Sequence, residues 1–269
     1  NGGAGAFLVV WVEESGPSTY IVSQMVSCSS GLVGGKQVVG SGDSAFLDSA
    51  PAVAYSETSQ KFLVVWKNAA RHENTRLKAV FLNINGSQMD SVVNLSTTFA
   101  RDPGVTWNRD RDEFGVSFSG EQSSLCGKAE IPYSGFVRVP AASLNGFIRE
   151  TFNVIPCGLT TITDIAYNSA TKRYVMAWFE LPGPYSRVAE FDAATGAQVT
   201  TGIVSGSLGS YDALSIAYNA ISGTFLLVGV ERQNDNVVAA ELNSRGYRAG
   251  GESTIAANGS PSRYPRVTG

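Results

Sequence analysis

Short apolar runs separated by polar turns recur along this chain, and they come in pairs with a fixed gap. Pro51-Ala-Val-Ala-Tyr55 is followed, seven residues after Tyr55, by Phe62-Leu-Val-Val-Trp66. The same pairing joins Pro103–Trp107 to Phe114–Phe118, Ile165–Tyr167 to Tyr174–Trp178, and Ile216–Tyr218 to Phe225–Gly229. A fifth pair is divided between the two ends, Pro265–Gly269 and Phe7–Trp11. Counting from Gly269 through Asn1 to Phe7 again gives seven.

The first run of each pair suits a short inner strand. In the second run Phe62, Val64 and Trp66 share one face of a strand, and Leu63 and Val65 the other. Both faces are apolar, so each sheet must be covered on both sides. Leu77–Leu82 predicts a third strand, and Asn83-Ile-Asn-Gly86 after it is a hairpin signal. Val92–Leu95 opens a fourth. Arg187–Phe191 and Val237–Leu242 repeat the third strand, with hairpins ending at Gly196 and Gly246. Ser56, Asn108, Asn168, Asn219 and Asn1 open the turn between the first two strands, where a side-chain oxygen closes onto backbone amides. No helical period appears.

The pattern predicts an all-β fold: a single five-bladed β-propeller with four antiparallel strands per blade and twenty strands in all. The C-terminal inner strand is expected to pair with the N-terminal strands and close the ring, which removes free sheet edges. The blades span approximately 51–102, 103–162, 163–213, 214–264, and 265–269 plus 1–50, leaving no residues for a second domain. The third-repeat stretch 136–152 aligns least well.

The motif Pro-x-Val-Ala-Tyr-Asn followed by Phe/Tyr-Leu-Val-Val-Trp resembles a repeat of secreted and surface-attached bacterial propeller proteins. The resemblance covers the whole chain and implies the fold and a secreted or cell-surface location. The five-blade plan also resembles that of tachylectin-type sugar-binding propellers, at the level of fold only, because their sequence motifs are absent.

Charged residues are 16% and the net charge is −3, so the chain carries no basic footprint for nucleic acid. No apolar run approaches the roughly 18 residues of a membrane span. The chain does not begin with Met, which predicts a processed form. Cys126 and Cys157, both in the long third repeat, are expected to form a disulfide, with Cys28 free and buried. The alternative is three reduced, buried cysteines. Asn85, Asn94 and Asn258 are glycosylation sequons that matter only in a secretory host.

Candidate chemistry gathers where the loops before the inner strands and after the second strands are expected to meet. Asp48, Asp102, Asp164 and Asp212 recur just before the inner strands. Glu13, Glu180 and Glu231 stand two residues past the Trp66-equivalent position, and Glu121 stands three past it. Such carboxylates can accept sugar hydroxyls or hold calcium, or they can simply cap loop amides. Trp11, Trp66 and Trp178 share one register, which suits packing between blades and, as a second reading, stacking on sugar rings. The loop residues Tyr185 and Tyr211 suit recognition. Residues 108–112 read as a turn rather than a metal loop.

The lone His72 sits in a polar loop, and no catalytic constellation or required cofactor is evident. The expected function is extracellular, non-enzymatic recognition, with a glycan or a cell-surface or extracellular protein as partner. A structural subunit that self-associates is one alternative, and a five-bladed glycoside hydrolase is another. The inner strands are almost bare of the two acids a hydrolase needs, with Asp102 and Asp164 nearest.

Overall fold

The computed structural model describes residues 5–16, 18–42, 51–68, 76–96, 100–122, 131–150, 159–181, 185–205, 211–231, 236–256 and 267. Its strands form five antiparallel sheets. Sheet one holds β1 (Ala6–Ser15), β2 (Ser18–Ser27) and β3 (Gly31–Gly42). Sheet two holds β4 (Ala52–Ser56), β5 (Lys61–Asn68), β6 (Arg76–Asn83) and β7 (Val93–Asn94). Sheet three holds β8 (Ala100–Asn108), β9 (Glu113–Gln122), β10 (Ile131–Pro140) and β11 (Ile148–Glu150). Sheet four holds β12 (Leu159–Asn168), β13 (Arg173–Leu181), β14 (Tyr185–Asp192) and β15 (Gln198–Ser205). Sheet five holds β16 (Tyr211–Asn219), β17 (Thr224–Glu231), β18 (Asn236–Leu242) and β19 (Arg248–Ala256). Each strand pairs with its neighbours in sequence, and one 3-10 turn, Leu144–Gly146, interrupts sheet three.

The chain divides into two compact units, residues 1–116 with 137–149 and residues 117–136 with 150–269, so sheet three contributes to both. In the first unit, Phe62, Val64 and Trp66 of β5 pack with Leu8, Ile21, Met25 and Val39 of sheet one. Leu63 and Val65 are equally buried but belong to the other face. The Trp66 ring lies against Gly40 so closely that a Cβ there would sit 2.5 Å from it, so glycine makes room for the indole. Phe81 of β6 meets Phe114 of β9 at 5.9 Å between ring centroids.

The second unit repeats this division of faces. Tyr174, Met176 and Trp178 of β13 pack with Phe136, Ile165 and Phe191. Val175, Ala177 and Phe179 pack instead with Leu214, Phe225, Leu227 and Val238 of sheet five. Alternate residues of one strand thus enter two different cores, as the two-sided apolar pattern requires.

The turns follow the expected chemistry. The Asn168 side-chain oxygen accepts from Ala170 and Thr171, that of Asn219 from Ile221 and Ser222, and that of Asn108 from Asp110. The Ser56 hydroxyl accepts from Ser59 in the same way. Five residues past the inner-strand aromatic, Gln60, Asp112, Lys172 and Gly223 all have left-handed φ, between 47° and 70°. That conformation reverses the chain into the second strand and is unusual for Gln and Lys.

Two expectations need correction, and a third, the twentieth strand, falls on residues outside those described. Sheet one has three strands among the described residues, which contain nineteen strands rather than twenty, because of residues 265–269 only 267 is described. The inner strands begin earlier than the apolar runs suggest, so Asp102, Asp164 and Asp212 lie within β8, β12 and β16 rather than in the loops before them. Polar residues extend these strands because backbone pairing continues past the apolar stretch, with bulges at Thr161/Thr163 and Tyr211/Leu214. Cys28 is free but exposed, since it falls in the turn after β2 rather than in a core.

Candidate functional site

The strand register places the glutamates at equivalent points. Glu13 of β1 stands opposite Tyr20 of β2, and Glu180 of β13 stands opposite Tyr185 of β14 and Thr160 of β12. Glu231 of β17 stands opposite Tyr211 of β16 and Asn236 of β18. In three sheets, therefore, a glutamate near the end of its strand has a tyrosine as its ladder partner, on the following strand for Glu13 and Glu180 and on the preceding strand for Glu231. Glu121 lies near the end of β9. Both Glu13 carboxylate oxygens accept from Lys36 Nζ at 2.6 Å, in a half-exposed ion pair worth at most about 1 kcal/mol.

The remaining candidates separate. Asp102 is half-buried with a left-handed φ of 51°, and Asp212 sits in the bulge of β16. Asp48, Cys126 and Cys157 lie outside the described residues, as does His72. Trp11 is half-buried opposite Val22. Trp66 and Trp178 are 1% and 0% exposed, so their rings are core and offer no face to a ligand. Neither indole nitrogen has a hydrogen-bond partner. Among the described residues no three His, Cys, Asp or Glu side chains converge in a way that could hold a metal ion.

Two polar nodes bind neighbouring sheets, one at Asp164, which the pattern singled out as an acid before an inner strand, and one at Asp112, which it did not. Asp164 is 7% exposed and accepts from its neighbour Ile165 N at 3.0 Å, from Ser215 Oγ at 2.8 Å and from Ile216 N at 3.0 Å. Its carboxylate thereby joins the inner strands β12 and β16. Ser215 Oγ in turn accepts from Val267 N at 3.2 Å. The step from Asp164 to Ile216 is 52 residues, and so is that from Ser215 to Val267. The same bond recurs one repeat later.

The other node is Asp112. It accepts from Ser56 Oγ, Ser59 Oγ and Trp107 Nε1, tying the β4–β5 turn to the β8–β9 turn. Burial alone pushes its carboxyl up, but the three hydrogen bonds and the charge of Lys61 outweigh it and hold the group below the ordinary carboxylate range. A depressed folded-state pKa stabilises the fold above the unfolded carboxylate's range, and the contribution fades as pH falls toward the folded value. Asp112→Asn should therefore unfold at lower urea than the parent at pH 7, and the gap should narrow as pH falls below about 5. A gap that stays constant with pH would show that the charge contributes nothing. Sequence offered only the place of Asp112, five residues past Trp107; the left-handed turn there is visible in the backbone alone.

The sequence matches no family model and no curated protein. It is similar to solved structures. Kuenenia stuttgartiensis hydrazine synthase superposes with a TM-score of 0.53 at 12% identity, over 91% of this chain and 65% of that one. Exo-β-1,3-galactanase from Phanerochaete chrysosporium, solved with β-1,3-galactotriose, gives 0.54 at 10% identity, over 77% and 49%. A variant of Synechocystis apocarotenoid oxygenase gives 0.52 at 7% identity, over 93% and 61%. This chain spans about half to two thirds of the length of these proteins. The neighbours include propeller-like folds, and at these identities they show the fold alone: this is an all-β, propeller-like chain.

Proposed function

We propose that the chain is a single five-bladed propeller and that it serves outside the cell as a non-enzymatic recognition module for a glycan. Residues 265–269 supply the fourth strand of sheet one. Two local repeats support this closure. The Val267–Ser215 bond places residue 267 beside β16 as Ile216 stands beside β12. At the other end, Gly5 has the left-handed φ of 66° found at Asp112 and Lys172. Its carbonyl accepts from Cys28 N at 3.2 Å, as those of Asp112 and Lys172 accept from Ala141 and Ala193 at 2.9 and 3.1 Å. Gly5 thus stands where a turn from an inner strand would end, and residues 265–269 are the strand proposed to precede it.

The observation that carries the recognition reading is the recurring glutamate–tyrosine register of Glu13/Tyr20, Glu180/Tyr185 and Glu231/Tyr211. A carboxylate accepts two sugar hydroxyls while a phenol ring covers the C–H face, and repetition around a ring gives several weak sites that gain by multivalency. In the galactanase a fold of this kind is found with a galactotriose. Glycoside hydrolysis is less favoured, because Asp164 is held by its three donors.

The test is a glycan array read with the parent and with a triple variant, Glu13→Gln, Glu180→Gln and Glu231→Gln. The parent should retain one sugar class with and without a chelator. The triple variant should lose at least tenfold in apparent affinity. Retention by the triple variant at the parent's level would remove the site, and a blank array for the parent would remove the reading. A role as an assembly subunit has its own observation, the exposed Phe7, Val9, Leu32 and Val38 of sheet one. Concentration-dependent growth in gel filtration would favour it.

A further inference from the structure

The first unit contains a cleft that the recognition reading does not use. Strand β3 leaves its ladder between Val33, opposite Met25, and Gln37, opposite Ser23. Three residues, 34–36, therefore stand against Gln24 alone, and Gly34 takes a left-handed φ of 69° to make the excursion. Gln24 Nε2 holds the excursion by donating to Val33 O at 2.8 Å and Gly34 O at 3.2 Å. The tip of the β6–β7 hairpin, Asn85-Gly86-Ser87, forms the facing wall. Gly86 comes close enough that a Cβ there would lie 3.1 Å from Met25. What remains between them is a cavity of about 180 Å³.

The lining is chemically uniform. Leu8 and Met25 form an apolar floor, and every polar side chain on the walls is a neutral amide or hydroxyl, with no charged residue among them. One of these groups lacks its partner. Ser23 is 1% exposed, and its hydroxyl makes no hydrogen bond. A buried hydroxyl without a partner costs about as much as a lost hydrogen bond, so the position is disfavoured unless something fills the cleft and completes it. Gln37 spends its Nε2 on Gly35 O at 3.2 Å, which leaves its amide oxygen free to accept.

We propose that this cleft is a binding site for one neutral sugar unit. An uncharged lining disfavours a carboxylated, phosphorylated or cationic ligand, whose charge would be desolvated with nothing to pair it. An apolar floor under a rim of amides and hydroxyls matches a pyranose ring, with C–H groups on its face and hydroxyls around its edge. The volume lies below the ~300 Å³ at which ordinary ligand pockets begin, which limits the occupant to a single residue of a chain. The site is independent of the glutamate–tyrosine register and shares with that reading only the class of ligand.

The experiment is a two-dimensional amide NMR titration of the whole chain with methyl β-galactoside, methyl β-glucoside and methyl N-acetyl-β-glucosaminide. One of the three should move the Gly34, Gly35 and Gly86 amides saturably, with a Kd on the order of 1 mM, the affinity of a small, weakly held ligand. Ser23→Ala should weaken that Kd at least fivefold while the protein stays folded. Gly35→Phe should abolish the shifts, because Gly35 lines the cleft and a Cβ there meets no atom within 4 Å, so the bulky ring is added at the cleft wall without a clash at its base. The triple glutamate variant should leave these shifts intact, which separates this site from the other. No shift at these glycines with any of the three sugars, or shifts that survive Gly35→Phe, would overturn the proposal.

Discussion

Replacing Trp178 with alanine is expected to cost about 3–5 kcal/mol of stability, the range for removing a large aromatic from a packed core. The ring is fully buried among Phe136, Tyr174, Met176 and Phe191. Trp66→Ala should behave alike, since Trp66 is 1% exposed and fitted against Gly40. Phenylalanine at either position should cost much less. It keeps most of the apolar surface and removes an indole N–H that has no acceptor in the core. Urea unfolding of the four variants measures this. A tryptophan that stacked on a ligand at the surface would instead tolerate alanine within about 0.5 kcal/mol, and that result would contradict the burial of these rings.

The second large effect is expected at Asp164. Asp164→Ala leaves the Ile216 amide and the Ser215 hydroxyl without their acceptor in a buried place, and hydrogen bonds to a charged group contribute about 1.5–3 kcal/mol. A loss of about 2–4 kcal/mol follows, with Asp164→Asn intermediate because one oxygen remains. Were Asp164 a hydrolytic acid, Asp164→Asn would leave stability unchanged and remove activity on an oligosaccharide. Unfolding midpoints beside a hydrolysis assay separate the two roles, and an unaltered midpoint would refute the structural one.

Much of the fold was legible because one physical requirement repeats. A sheet covered on both sides must be apolar at successive positions, so Phe62-Leu-Val-Val-Trp66 and Tyr174-Val-Met-Ala-Trp178 announce themselves, and the Asn-led turns between strands carry their own side-chain acceptors. The extent of the inner strands was not legible, because Thr160–Asp164 and Tyr211–Asp212 continue the ladder by backbone bonds that side-chain polarity does not reveal. The left-handed turn position was hidden for a related reason. It is filled by Gln60, Asp112, Lys172 and Gly223, residues with no shared chemistry, and only the backbone shows that they are equivalent.

At the candidate site the glutamate register could be read from spacing alone. The tyrosines across from it could not, since Tyr20, Tyr185 and Tyr211 fall at different distances along the sequence and on different neighbouring strands. The partners of the two sheet-linking nodes were beyond reach for the same reason. Asp112 and Ser56 lie 56 residues apart, and Asp164 and Ser215 lie 51 apart. The cleft at Gln24 arises from a three-for-one excursion in β3 that the repeat pattern does not contain.

The most direct test of the closed ring is a circular permutant that joins Gly269 to Asn1 by a single peptide bond and places new ends between residues 207 and 208. A direct bond restores the seven-residue count from Gly269 to Phe7, with Gly5 at the left-handed position. If residues 265–269 complete sheet one, the permutant should fold and unfold in one cooperative transition, with a midpoint close to or above that of the parent. A permutant that fails to fold, or that loses sheet one in a separate early transition, would contradict the five-bladed ring.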